Sequence, residues 1–260
     1  MTRPLRLLLA SWLLCACGDD PPAFTAAREP DLAADSLDGA RVTATVAAIV
    51  ADPLTTTMSA EQAATTAAMR AGALLLPAGC VTATAQGATA TYVFTNCSGP
   101  YGLLRLSGTL RATITPNGPG QGFTVALVGA LTANGGSWNV DATGNATSTS
   151  GDRSVALTTR SSGTGPRGLS FAQAGVYTAR WSSDCLDLNG TWTTRVEALT
   201  FNTTVAALRR CRGQCPAAGG TVTLGTSDGR TVTLTFTGEA AARVSGSGGR
   251  MGTVVLPCGA

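Results

Sequence analysis

From Cys80 to the end, apolar and polar residues alternate in short runs, and this alternation most constrains what the chain can fold into. LLRLSGTLRATIT puts Leu104, Leu106, Leu110 and Ile114 on one face and Arg105 and Arg111 on the other. GFTVALVGALT does the same with Phe123, Val125, Leu127 and Leu131. A period of two is the pattern of a strand with one face buried and one in water. Turn signals recur between the runs, at Gln86-Gly87, Asn117-Gly118, Asn134-Gly135-Gly136, Gly144-Asn145 and Asp228-Gly229. No long helical pattern separates them, so successive strands pair as an antiparallel meander. Abundant Thr agrees, since a β-branched polar residue suits the wet face of such a sheet. The fold class read here is mainly β: a curved antiparallel sheet forming a partial barrel or a sandwich, with a short N-terminal helical segment.

The helical segment is carried by TMSAEQAATTAAMRAG, with Ser59 as N-cap, Gln62 three residues on, and Gly72 as a stop. RVTATVAAIVAD fits a helical face through Val42, Val46, Ile49 and Val50, and fits alternation equally well; it is read as helix. Before it, GDDPPAFTAAREPDLAADSLDGA carries six acids and three prolines and reads as a disordered tether. The expected organisation is residues 1–16 as signal peptide, 17–40 as lipidated Cys and tether, 41–79 as helical segment and 80–260 as β domain. A possible seam lies at SSGTGPRG, residues 161–168.

The leader supports the first two of those spans. MTRPLR is a short positive region, and LLLASWLL is an apolar run of signal-peptide length, well under the ~20 residues needed to cross a bilayer. Then come Leu14, Cys15, Ala16 and Cys17. An aliphatic residue, a small one and then Cys resembles the lipobox of bacterial lipoproteins. That resemblance implies that Cys17 receives a diacylglycerol and becomes the first mature residue, anchoring the chain to the inner or outer membrane. Cys15, with bulky Leu14 before it, is the poorer acceptor. The stretches PAGC…NCSGPYG, SSGTGPRG and CPAAGG…LPCG give the body the texture of Ala/Thr-rich lipoproteins of myxobacteria-like envelopes. No activity follows from that likeness.

Six further cysteines remain: Cys80, Cys97, Cys185, Cys211, Cys215 and Cys258. An even number in an exported chain predicts three disulfides. Cys80 and Cys97 bracket the first hairpin and are expected to pair. CRGQC is expected to close on itself as Cys211–Cys215, leaving Cys185 to meet Cys258. A four-Cys zinc site is the competing reading, with only one C-x3-C to support it.

Much chemistry is missing. The sequence contains no His and no Lys; all eighteen basic residues are Arg. Ser-His-Asp hydrolysis, His-ligated metals and Schiff-base chemistry are therefore excluded. Removing the leader takes away Arg3 and Arg6 and leaves 18 − 2 = 16 Arg against 15 acids. The densest Arg cluster is Arg209, Arg210 and Arg212, too small for the basic face that nucleic acid requires. Asp141, Asp152, Asp184, Asp187, Glu197, Asp228 and Glu239 are the acids a carboxylate-only glycan hydrolase would draw on, and they sit in no telling pattern. DCLDLNGTW resembles a calcium loop in part, but Cys185 is no hard oxygen ligand and Val196 stands where the closing Glu belongs. Trp138, Trp181, Trp192, Tyr92, Tyr101 and Tyr177 are the aromatic residues that a sugar platform would use. An outer-membrane barrel is disfavoured by 5% aromatic content and the lack of an aromatic C-terminus.

The functional expectation is a membrane-anchored envelope lipoprotein with a non-catalytic, disulfide-stabilised β domain. No catalytic residue, metal or cofactor is assigned, and the partner is an envelope protein or glycan. The alternatives are a carrier of an apolar ligand within the curved sheet and a carboxylate-only hydrolase.

Overall fold

The computed structural model describes residues 28–149, 152–256 and 258. The expected signal peptide, Cys17 and the start of the tether lie outside those residues. The chain begins with helix α1 (Glu29–Ala51), followed by α2 (Ala60–Arg70) and a short 3₁₀ turn at Ala71–Leu74. The strands then run β1 (Val81–Gln86), β2 (Thr89–Cys97), β3 (Leu106–Pro116), β4 (Phe123–Ala133), β5 (Gly136–Thr149), β6 (Asp152–Thr164) and β7 (Ser170–Trp181). They continue through β8 (Cys185–Val196), β9 (Leu199–Cys211), β10 (Thr221–Thr226), β11 (Thr231–Phe236), β12 (Ala241–Gly246) and β13 (Arg250–Val255).

Each strand pairs antiparallel with its sequence neighbours in a single sheet, and among the described residues β1 and β13 form its two edges. The curved antiparallel meander is therefore as expected, and the sheet is not closed into a barrel. It curls around α1, which packs against β4 to β8, β10, β11 and β13. Residues 161–164 end β6 and residues 165–168 form the turn into β7, and the two strands pair from Arg153 and Trp181 up to Thr164 and Ser170.

Alternation sets which side chains face the helix. Leu110, Ile114, Val125, Leu127, Leu157 and Leu188 point inward and are buried. On the outer face Thr143 stands opposite Thr158, Thr191 opposite Thr204, and Thr204 opposite Thr223, which stands opposite Thr233. The Thr-rich composition thus covers the wet side with cross-strand β-branched pairs about 4.8 Å apart.

Helix α1 corrects the boundary of the expected tether. Residues 29–40 are helix, and every residue from Leu32 to Ala51 is buried. Pro30 sits in the first turn, where its missing N–H costs nothing, and Glu29 and Asp31 complement the positive end of the helix. Small residues let the sheet approach from all sides: Ala33, Ala34, Ala40, Ala44, Ala47 and Ala48 are each at most 2% exposed. Gly39 is the tightest of these approaches, because a Cβ there would lie 3.0 Å from the Trp138 ring. A polar knot pins the helix from below. Trp192 Nε1 donates to Ser36 Oγ at 2.7 Å, and that hydroxyl lies 2.8 Å from Thr194 Oγ1.

Helix α2 forms where expected, with both halves of the capping box made: Gln62 N donates to Ser59 Oγ and Ser59 N to Gln62 Oε1. It packs on β1, β2 and β3.

Candidate functional site

Four of the six acids that made the N-terminal segment look solvated, Glu29, Asp31, Asp35 and Asp38, hold α1 in place. Asp31, Asp35 and Asp38 are spaced i, i+4, i+7 and share one helix face. Arg167, in the turn between β6 and β7, meets all three, at 3.5, 2.8 and 3.9 Å respectively. Its Nη2 also donates to the Val255 carbonyl on edge strand β13. One guanidinium thus joins the helix, an inner turn and the free edge of the sheet. Gly165 makes room for this contact, since a Cβ there would fall 2.1 Å from the Asp35 carboxyl carbon. Two more clamps sit at the helix ends. Arg230 donates to Glu29 at 2.7 Å, and Arg153 pairs with Asp52, which also accepts from Trp181 Nε1.

Burial shifts the titration of this interior. The Asp35 carboxyl is pushed up to about 6, because loss of solvent outweighs the guanidinium beside it. Arg210 is pulled down to about 10 by burial and by the Arg41 charge. Arg41 itself is tied to Asp38 at 2.6 Å. These groups form a neutralised network, and none of its acids faces a second acid across an open cleft.

The three cysteine pairs are Cys80–Cys97, Cys185–Cys211 and Cys215–Cys258. The first is as expected; the other two replace Cys211–Cys215 and Cys185–Cys258. Cys185 opens β8 and Cys211 closes β9, and the register sets them directly opposite. Cys215 is thereby left to fasten the β9–β10 connection to the chain beyond β13. With all four in disulfides, a zinc site built from them is removed. Among the described residues no other group of three or more His, Cys, Asp or Glu is placed to hold a metal.

The remaining candidate residues do not converge. Asp141, Asp184, Glu197, Asp228 and Glu239 are exposed on strands or turns, Asp187 pairs with Arg209, and the side chain of Asp152 lies outside the described part. Asp228 is drawn down to about 2 by the Thr226 hydroxyl and then Arg230, as befits a turn acid. In DCLDLNGTW every residue from Cys185 on is strand, and Asn189 Oδ1 accepts from Ala207 N. All six aromatic candidates are buried, so they build the core and not a sugar platform. The concave side that an apolar ligand would need is filled by α1.

One groove open to a partner, of about 350 Å³, lies at the start of α1. Val232, Val244 and Val254 line it with the buried Glu29, and the exposed Arg230 and Arg250 line it too. Beside it Met251 is 88% exposed on β13. Little in the sequence points to this groove, because its lining joins the start of α1 to the last two hairpins. Among the described residues no helix is long and apolar enough to cross a membrane.

Comparison with known proteins returns no matching family model, no matching curated protein and no matching solved structure.

Proposed function

We propose that this protein is a lipid-anchored module of a bacterial cell envelope that acts by binding an envelope component or supporting surface structure, not by catalysis. The anchor is Cys17, supported by the Leu14, Ala16, Cys17 pattern at the end of a signal-peptide-length apolar run. The observation that carries the non-catalytic reading is the enclosed helix. Its acids are spent on arginine clamps, and it occupies the concave face where sheet proteins commonly hold small ligands. A partner is then left the Thr-rich outer face, the groove at the start of α1 and the edge of β13.

The test has two arms. Mass analysis of the N-terminal peptide from native membranes should find a diacylated Cys17 and no residue before it; an unmodified peptide containing Met1 overturns the anchor. Crosslinking in intact cells, then purification of the lipidated protein, should yield a defined envelope protein or glycan adduct. Turnover of an added glycan by the purified protein overturns the non-catalytic reading.

A further inference from the structure

We infer that the end of the molecule bearing the start of α1 and the β12–β13 hairpin lies against the bilayer, with Met251 and Arg250 in contact with the phospholipid surface. The inference rests on the Cys17 anchor just proposed. Because α1 begins at Glu29, only residues 18–28 lie between Cys17 and the helix. Even drawn out fully, that stretch spans no more than about 40 Å. The 23-residue helix is itself about 35 Å long. Of the two ends of the helix, it is therefore the start that this short span holds near the membrane.

The surface at that end fits the role. Thr231 opens β11, Gly246 closes β12 and Arg250 opens β13, and all three line the groove around Glu29. Met251 is 88% exposed and Val255 74%, although both lie on an edge strand that water alone would favour filling with charge. Arg250 adjoins Met251 and is exposed. An unbranched apolar side chain next to a guanidinium suits the boundary between acyl chains and phosphates. Net charge does not drive the contact, since Glu29, Asp31 and Asp228 stand near the two arginines. The short tether supplies it by holding the surface at high local concentration.

Methionine oxidation reads this directly. Met69, on α2 at the opposite edge of the sheet, is 72% exposed, so the two methionines should react with peroxide at similar rates in water. The full lipidated protein is inserted in vesicles of phosphatidylethanolamine and phosphatidylglycerol, and sulfoxide is followed at each residue by mass spectrometry. Met251 should oxidise at least threefold more slowly than Met69. A variant carrying forty Gly/Ser residues inserted after Ala27 should bring the two rates together. Equal rates in the unmodified protein, or the same slow Met251 in both proteins, overturn the inference. The Cys17 peptide is analysed in the same digest. Its lipid present with Met251 freely oxidised defeats only the docking, whereas its absence defeats the anchor.

Discussion

The Arg167 guanidinium lies 2.8 Å from the Asp35 carboxylate, joining residues 132 positions apart in the chain. Asp35 is fully buried. Through Arg167 it is also tied to the Val255 carbonyl, so the pair does for this open sheet what a closing row of hydrogen bonds does for a barrel.

Removing one partner of a buried pair leaves the other charge stranded, at a cost of about 3–5 kcal/mol. Arg167→Met should lower stability by that amount in urea unfolding. The double variant Arg167→Met with Asp35→Leu should recover part of the loss. A loss under 1 kcal/mol for the single variant would show that the clamp is ornamental.

The same pair sets a pH dependence. Asp35 ionises at about 6 in the folded protein against its ordinary 3.8, so the folded state holds this proton more tightly than the unfolded state. Its contribution is therefore favourable below about pH 4 and is lost as pH rises through about 6. Across that window the wild type should lose up to about 3 kcal/mol relative to Asp35→Asn, which cannot titrate. Only the difference between the two proteins isolates the group, because Asp31, Asp38 and Arg167 face the same site. Parallel curves from pH 4 to 7 would refute the assignment.

Gly165 predicts a steric failure. Alanine there must displace the Asp35 carboxyl, so Gly165→Ala should cost about 2 kcal/mol or more, in line with overpacked cores. Gly168→Ala, in the same turn, meets no neighbour within 4 Å and bears only the strain of its positive φ, so it should cost less. Thermal melts of the two variants make the comparison.

Peptide mapping without reduction should recover Cys185 joined to Cys211 and Cys215 joined to Cys258. Replacing either pair by Ala should destabilise by about 2–5 kcal/mol. A peptide holding Cys211 linked to Cys215 would contradict the strand register as well as the pairing.

The strands were legible because alternation is local: a window around Leu110 or Val125 shows its buried face without knowledge of its partner. Helix α1 was half legible. Its second half has apolar residues at helical spacing, whereas its first half shows acids whose neutralising arginines lie 132 and 201 residues away. Counted alone, those acids describe a solvated chain; paired, they describe a buried one. The second disulfide was within reach, since Cys185 and Cys211 flank β8–β9 as Cys80 and Cys97 flank β1–β2. The closeness of Cys211 to Cys215 in sequence competed with that geometry and pointed the wrong way. The groove at the start of α1 had no sequence signal, because a meander reveals neighbouring strands but not how far the sheet curls.

Helix α1 is synthesised before all the strands that cover it, and β13 follows the other twelve. Until Val255 arrives, a rod of alanine, valine and isoleucine has no complete sheath. A nascent copy halted within β10 lacks the cover that β11 and β13 give α1, and should be handed to chaperones or degraded.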